Sequence, residues 1–440
     1  MRSLHGTIAA AMLLLGGSCA LGAASLEPPF AVQTWSVDEG TLGVLVEDHR
    51  TPLVTVRLEF PVGVWSPWAR RSHAEEAFEI GLHDSAGALR ARADALAAGL
   101  SLGMGVREAR LAASCLEEDL PAVLELVRDV LDNRDLDRRE LKRWRKESEI
   151  SWESSQKDPS FRGNQAEARA LFERDDPRRI PWEKPDRVET RTERLVMARD
   201  AIVRLPGRVI AFAGDLTREE AERAATGLLP RPAPLSPEDL GPVFRKVTSA
   251  GSRVHEVAER ITRLTQVYFS LGRDSLPLGS PDYPAFVIAD HVLGGHFYSR
   301  LTVALRHEGG ETYGAGTSDY EDVVTGPYSL FTFTRRENAA ATEAKLREAL
   351  RLFHERGITE EERSDAIGSL RGRRLFDRQA AAQILGRFLW ERRMGLPRGF
   401  SDEVVERASR LTLEEINRFI GRFYDPREFF LIRVEPPPGP

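Results

Sequence analysis

The chain has 440 residues, which exceeds the usual size of one domain and predicts at least two. Hydrophobic residues make up 41% and charged residues 30% of the sequence, which is typical of a globular protein with sizeable cores. The formal net charge is -6, both signs are interspersed and no basic stripe runs along the chain. This pattern argues against nucleic acid as a partner.

Residues 1–24 are predicted to be a secretory signal peptide. Arg2 precedes an apolar run over residues 8–15, which is too short to cross a bilayer. Cleavage after Gly22 would satisfy the preference for small residues at such sites. The alternative is lipid attachment at Cys19, although the residues before it form a weak lipobox. We therefore expect an exported protein of the periplasm or cell envelope, either soluble or lipid-anchored.

Cys115 is the one thiol expected outside the signal peptide, so no internal disulfide is expected. It lies in an apolar stretch with regular periodicity. The sequence predicts a buried and inert thiol rather than a nucleophile.

Strand-like and helical runs alternate through the first half, after a short lead-in over residues 25–35. Strands are predicted at residues 42–47, 53–60, within 100–115 and at 208–215. Helices are predicted at residues 72–82, 88–99, 116–133, 137–155, 162–174 and 187–200. Capping boxes, in which a Thr precedes a Glu by three residues, mark the starts of three further helices: Thr217–Glu220, Thr359–Glu362 and Thr412–Glu415.

The stretch 228–253 is rich in Pro, Gly and Ser and is the best linker in the chain. It separates a predicted domain at residues 25–235 from another at 253–440, with the linker itself at 236–252. The second half repeats the first in outline. A strand at 265–272 takes the place of 53–60, and a final helix leads into a strand at 428–435, as a helix leads into 208–215. This pattern indicates an internal duplication.

Residues 294–316, GGHFYSRLTVALRHEGGETYGAG, resemble the second-domain signature of pitrilysin/insulinase-type metallopeptidases, especially the processing-peptidase-like members. The matching positions are Gly294, Gly295, Ser299, Arg300, Leu301, Leu305, Arg306 and Tyr313. Weaker resemblance extends over residues 208–230, and over the course from the strand at 53–60 through the helices at 116–155.

The resemblance implies an α+β fold of two homologous domains, each a mostly antiparallel sheet covered by helices on one side. Two such pairs form a clam-like chamber in the family, and small members dimerise to build it. The peptide substrate then lies extended against a sheet edge.

Active members of the family carry His-x-x-Glu-His on a helix of the first domain. The two His bind zinc, the Glu activates the zinc-bound water, and a later Glu is the third protein ligand. Here His73 and Glu76 are followed by Ala77, so the second His is absent. His83 lies ten residues after His73, about 15 Å along one straight helix, which is too far for both to bind one metal.

Other choices of ligand fare no better. If Gly87 takes the place of the Gly after the family motif, the ligand positions become Phe78, Gly81 and Leu82. None of these side chains binds zinc.

A degenerate site could still combine His73, Glu76 and either Glu147 or Glu149, and it would hold a divalent ion weakly. The two later Glu residues lie among alternating charges, however, which favours a solvated helix face. We therefore expect no metal or other cofactor in this chain. His291, His296 and His307 have spacings that suit no single helix face, and no site is predicted for them.

Arg306 and Tyr313 are the chief functional candidates. The resemblance implies that they reach a zinc site, bind the substrate carbonyl and stabilise the oxyanion, and a guanidinium and a phenol suit that role. Gly309, Gly310 and Gly314 would let the loop bend. The alternative is that Arg306 pairs with Glu308 or Glu311 and that Tyr313 only packs.

The family includes heterodimers in which one subunit holds zinc and the other supplies the Arg/Tyr pair. The sequence therefore suggests an exported, non-catalytic subunit whose homologous partner carries the zinc and which binds an extended peptide. Two alternatives stay open. One is an independent metallopeptidase with atypical ligands, and the other is a non-enzymatic scaffold or binding subunit of an envelope complex.

Overall fold

A computed structural model describes residues 30–184, 189, 191–233, 256–262, 264–307, 312 and 314–437. The predicted signal peptide, the possible lipid anchor at Cys19 and the predicted linker at 236–252 lie outside these residues. Among the described helices, none is long and apolar enough to span a membrane.

The first half forms a six-stranded sheet with helices around it. Its strands are β1 Val32–Asp38, β2 Thr41–Glu47, β3 Leu53–Phe60, β4 Gly99–Met104, β5 Ala109–Leu116 and β6 Arg208–Gly214. Its helices are α1 Pro67–Ser72, α2 Ala74–Glu79, α3 Ala88–Ala95, α4 Leu120–Leu131, α5 Arg138–Ser155, α6 Pro159–Leu171, α7 Thr192–Val203 and α8 Arg218–Ala225.

The second half forms a five-stranded sheet. Its strands are β7 Glu256–Arg260, β8 Gln266–Asp274, β9 Ala315–Asp319, β10 Pro327–Arg335 and β11 Phe430–Glu435. Its helices are α9 Tyr283–Leu293, α10 Arg300–Thr302, which continues as a π-helical turn over Val303–His307, α11 Ala339–Arg356, α12 Glu360–Phe376, α13 Ala381–Arg393, α14 Phe400–Arg410 and α15 Leu413–Phe423.

The two sheets share one topology. The first has the strand order β1-β2-β6-β3-β5-β4 and the second β7-β11-β8-β10-β9. Among the described strands, each sheet has one parallel pair, which joins the last strand of that half to an early one. The pair is β6 with β2 in the first sheet and β11 with β7 in the second. β8 therefore corresponds to β3 and β11 to β6, as the sequence predicts. β1 is an additional edge strand.

Both faces of each sheet are apolar, because residues alternate between two separate cores along each strand. On β6, Ile210 and Phe212 face the helices of their own half, whereas Val209 and Ala211 face the opposite side. A sheet buried on both sides needs a helix layer on each face. The expectation of helices on one side is therefore incomplete.

Each opposite face is covered by one helix from the other half. Ile384 and Leu385 of α13 pack on β2 and β6 of the first sheet. Ala166 and Leu171 of α6 pack with the β8 and β11 side chains of the second sheet. Since α6 and α13 follow corresponding helices in the two halves, the exchange is itself part of the repeat. We call α6 and α13 the exchanged helices.

Ion pairs also join the two halves. Arg107 donates hydrogen bonds from Nε and Nη2 to the buried carboxylate of Asp322. Arg393 of α13 bonds Glu59 of β3, with 2.9 Å between Nη1 and Oε1. Partly buried pairs of this kind fix orientation more than they add stability.

Local signals predict most of these elements. All three capping boxes form, at Thr217, Thr359 and Thr412. Cys115 is buried and free, and burial raises the pKa of its thiol to about 11. β1 was not predicted, because residues 25–35 resemble a lead-in. The stretch after 228 does not begin as a loose linker, because Leu228 and Leu229 are buried in the first core.

The predicted helix 72–82 is wrong in one respect, since it is not continuous. α1 ends at Ser72, and His73 takes a left-handed backbone conformation with φ 54° and ψ 44°. Its N–H bonds the carbonyl of Arg70, and α2 then starts in a new direction. His83 lies beyond the short 3₁₀ turn Ile80–Leu82.

Gly163 on α6 tests the exchanged packing. A Cβ at this position would lie 2.2 Å from Cε1 of Tyr268, a buried β8 ring. Gly163→Ala should therefore lower the free energy of unfolding by about 1–3 kcal/mol, because overpacking outweighs the gain in helix propensity. Urea denaturation followed by circular dichroism measures this change.

Gly368→Ala on α12 is the matched control, since nothing lies within 4 Å of its added methyl group. It should raise stability by about 0.5–1 kcal/mol. A stabilising effect of Gly163→Ala would contradict the packing of α6 against β8.

Glu167 on α6 should make stability depend on pH. Its carboxyl is buried among the strands of the second sheet, and this burial raises its pKa well above the ordinary value of 4.5. The folded chain then holds a proton that the unfolded chain releases, so the free energy of unfolding falls as pH rises above about 4.5. The slope from this group is at most about 1.4 kcal/mol per pH unit.

Glu167→Gln removes that slope, and the variant should melt above the wild type at pH 9 but not at pH 4. Differential scanning calorimetry at several pH values measures the difference. Glu149→Gln, at an exposed carboxylate that pairs with Arg145, should leave the profile unchanged. Parallel profiles for Glu167→Gln and wild type would show that Glu167 is not buried at this interface.

Candidate functional site

The first candidate site surrounds His73. The left-handed turn at this residue places its imidazole beside Glu76, with 3.3 Å between Nδ1 and Oε1. The fully buried guanidinium of Arg199 packs against α2 on the core side. It donates a hydrogen bond to the carbonyl of Leu131 and lies near the carbonyl of Ala77. Burial lowers the pKa of Arg199 to about 10.

The residues of this region do not fit a zinc centre. Ala77, at the position of the second His, is fully buried in an apolar cluster with Leu141 and Leu195. Glu147 and Glu149 are more than half exposed and pair with arginines of their own helix. Across the described residues, no group of three or more His, Cys, Asp or Glu side chains is arranged to hold a metal ion.

His83 belongs to a separate contact. Its Nδ1 lies 3.6 Å from Oε2 of Glu140 on α5. The alternative alignment that starts from Gly87 gives no metal ligands either, because Phe78, Gly81 and Leu82 have no metal-binding side chains and are all buried. Of the candidate ligands, His73, Glu76 and Glu147 line one cavity, whereas His83 and Glu149 do not. Even so, no arrangement able to hold a metal ion forms among the described residues.

A cavity of about 720 Å³ nevertheless opens at His73. Glu75, Glu76 and Glu79 of α2 line it, together with aromatic residues of α5 and α6, among them Trp144. Met104 at the end of β4 forms another part of the wall, and β4 is the edge strand of the first sheet. The cavity therefore lies beside a sheet edge.

The electrostatics of this cavity are acidic. Burial, helped by the nearby carboxylates of Glu79 and Glu76, raises the pKa of Glu75 to about 7. Burial also raises the pKa of Glu79, although Trp144 donates a hydrogen bond from Nε1 to its carboxylate. A cavity with crowded carboxylates favours cationic or N–H-rich groups.

The second candidate site is the stretch at 294–316, and most of its matching residues are structural. Leu301 and Leu305 are fully buried in the second core. Arg300 forms two hydrogen bonds of 2.7 Å with Glu362, the residue that also caps α12. Gly294 has no room for a side chain, because a Cβ would lie 2.6 Å from the backbone nitrogen of Thr317.

Arg306 differs from these anchors. It lies in the π-helical turn, and its guanidinium stacks over the exposed ring of Phe297, 4.6 Å from the centroid. π-Helical turns of this kind often occur at functional sites. Tyr313, Glu308 and Glu311 lie outside the described residues. Whether Arg306 and Tyr313 act together therefore stays a prediction.

The structure brings His291 and His296 together, contrary to the reading of their spacing. α9 ends before Gly294 and Gly295, and the chain turns back so that the two rings stack at 4.4 Å between centroids. Burial and the neighbouring His296 lower the pKa of His291 to about 4. The neutral pair packs at the end of α9.

Sequence reasoning missed two sets of residues. Glu75 and Glu79 were not singled out, because they resemble ordinary charges on a surface helix. Asp290 is the other omission. It is the one acidic residue within the apolar helix α9, and it accepts a 2.9 Å hydrogen bond from the Tyr328 hydroxyl. An isolated charge in an apolar helix is a signal that could have found it.

Comparison with known proteins agrees with this fold. Residues 204–370 match the family model described as the peptidase M16 inactive domain. This match includes Arg306 but not His73. No curated protein matches the chain.

Solved structures of M16 proteins have similar folds. A peptidase M16 inactive-domain structure from Pseudomonas fluorescens is 20% identical, with a TM-score of 0.77 and coverage of 92% of this chain and 98% of that one. A protease from Helicobacter pylori is 12% identical, with a TM-score of 0.76 and coverage of 92% and 100%. The periplasmic protease PqqL from Escherichia coli is 11% identical, with a TM-score of 0.71 and coverage of 98% and 49%.

These findings confirm the predicted α+β fold of two related domains and the resemblance on which it rests. Residues 204–370 match the model of the peptidase M16 inactive domain, and the described chain as a whole has the fold of M16 peptidases.

Proposed function

We propose that this chain is an exported, non-catalytic subunit of a heterodimeric zinc metallopeptidase. It completes the peptide-binding chamber and supplies Arg306 and Tyr313 to the active site of a partner. That partner is a homologous subunit with an intact His-x-x-Glu-His motif, and the zinc belongs to it. The substrate is an extended peptide.

The observation that carries the proposal is the contrast between the two halves. In the first half, Ala77 is buried in the core, so the second metal ligand cannot be restored by a small rearrangement. In the second half, the anchors Arg300 and Leu305 hold the turn that presents Arg306. A chain that has lost its own metal ligands but maintains this turn suits a helper role.

The chemistry of Arg306 and Tyr313 supports the same role. A guanidinium and a phenol both donate hydrogen bonds to an oxygen that gains negative charge, and neither needs a bound metal on its own chain. Phe297 stacks against the Arg306 guanidinium and would help to hold it in one orientation.

The edge strand β4 offers a place for the peptide. An extended peptide can add to a sheet edge through backbone hydrogen bonds, and side-chain preference then comes from adjoining cavities. The cavity at Glu75 and Glu79 adjoins the end of β4 and would face alternate side chains of such a peptide.

The chain spans about half the length of PqqL, whose fold it shares. PqqL is a periplasmic protease, which agrees with the signal peptide expected at residues 1–24.

Reconstitution of the peptidase tests the proposal. The purified chain is mixed with a zinc-bearing M16 homologue, and cleavage of a fluorogenic peptide is followed. Arg306→Ala and Tyr313→Phe should each lower kcat by about 100-fold, the usual effect of removing one oxyanion donor. The affinity between the two subunits, measured by calorimetry, should not change.

Arg347→Ala is the matched control, because Arg347 lies on the exposed face of α11 and pairs only with Glu343 there. It should leave kcat unaltered. A complex that forms but is indifferent to Arg306 and Tyr313 would instead indicate a scaffold subunit. Peptide cleavage by the pure chain with stoichiometric zinc would indicate an independent metallopeptidase.

A further inference from the structure

A cavity of about 510 Å³ lies in the second half, between α9, α12, α13 and α14 at the end of β9. Its position corresponds to that of the acidic cavity in the first half. The first cavity lies at the end of edge strand β4 and is lined by α2 and α5. The second lies at the end of edge strand β9 and is lined by the corresponding helices α9 and α12. Its volume is in the range of small-molecule sites, about 300–1,000 Å³.

One wall of this cavity is acidic and incompletely satisfied. Both carboxylate oxygens of Asp319 are buried without a well-aligned hydrogen bond and, of the described groups, only the adjacent backbone N–H groups of Tyr320 and Glu321 approach this carboxylate. Glu321, two residues later, lines the same wall with no hydrogen bond or ion pair of its carboxylate to any described residue. Its backbone has φ 46°, a conformation that non-glycine residues adopt mainly where function or a tight turn requires it.

The part of the cavity lined by α12 is basic. Nε and Nη1 of Arg374 are buried without a hydrogen-bond acceptor. Arg373 beside it is exposed to the cavity, and its guanidinium has no hydrogen bond or ion pair within the described part of the chain. The nearby Asp377 meets this need only in part, because its Oδ2 lies 3.4 Å from Nη1 of Arg374 and also accepts a 3.0 Å hydrogen bond from Arg387.

Several apolar side chains also line the cavity, beside polar ones such as His291 and Gln383. The apolar ones are Leu278, Phe286, Trp390, Phe400, Val404 and Val405. Burial of polar atoms without partners costs roughly 1–3 kcal/mol per group, so a partner from outside the chain would be favoured. Such a partner needs a hydrogen-bond donor for the Asp319 carboxylate and an acceptor for the Arg374 guanidinium.

We infer that this cavity binds a zwitterionic α-amino acid or dipeptide with an apolar side chain. The ammonium group of the ligand donates to Asp319 and Glu321, and its carboxylate accepts from Arg373 and Arg374. The apolar side chain packs against Phe286 and Val404. The inference concerns the second half alone and does not depend on the proposed peptidase role.

The charges of the cavity favour a zwitterion over an ion of one sign. A simple anion would lie against Asp319 and Glu321, and a simple cation against Arg373 and Arg374, so either would meet like charge. Burial, together with Asp290 and Glu321, raises the pKa of Asp319 to about 8. An ammonium group beside this carboxyl would offset that cost.

Calorimetric titration with L-leucine, L-phenylalanine and the dipeptide Leu-Leu tests the site. At least one should bind, and the comparison distinguishes a free amino acid from a short peptide. N-acetyl-L-leucine and L-leucinamide, which each lack one charge, should bind at least about tenfold more weakly, because each leaves one wall without its charged partner. Glu321→Gln and Arg373→Gln should each weaken binding by a similar factor.

Both substitutions lie at exposed side chains, so the variants should fold, and thermal melting confirms this. Glu414→Gln, at an exposed carboxylate of α15 that pairs with Arg418, is the matched control and should bind as the wild type does. The inference is overturned by absence of binding up to about 10 mM. Equal binding of charged and blocked ligands, or indifference to both variants, overturns it as well.

Discussion

The constraint on which the whole structure depends is that both faces of both sheets are apolar. In each half, the other helices pack on one face of that half's own sheet. A half-chain on its own can therefore cover only one of the two faces. The exchanged helices α6 and α13 supply the missing layers. Each half therefore completes the core of the other, and neither is expected to fold stably when separated.

This exchange also fixes the geometry between the candidate sites. α6 contributes Phe161 to the acidic cavity and packs its other face on the second sheet. α13 contributes Arg387 to the second cavity while Leu385 packs on the first sheet. The same helices thus build the walls of the cavities and hold the halves together. Ion pairs such as Arg107–Asp322 then restrict sliding between the halves.

Much of this fold can be predicted from the sequence, because its signals are local. Strand β3 follows from its apolar run, and the capping boxes mark three helix starts. The exchange of α6 and α13 between the halves cannot be predicted in this way. The apolar face of α13 indicates that the helix is buried but not which of the two sheets it packs against. Similarly, Arg300 and Arg306 both match the sequence signature. The two hydrogen bonds from Arg300 to Glu362, seen only in the structure, show that Arg300 has a structural role. The break at His73 was missed because a left-handed turn at this residue type leaves no pattern.

Duplication explains why the molecule has two cavities of different character. The repeat places a cavity beside the last edge strand in each half, but the side chains that line them have diverged. In the first half, glutamates of α2 line the cavity beside His73. In the second, carboxylates at the end of β9 face arginines of α12 and α13. Because the backbone of the repeat determines where the cavities lie, their chemistry can change without loss of the fold. The same fold can therefore present two cavities of different chemistry at corresponding positions.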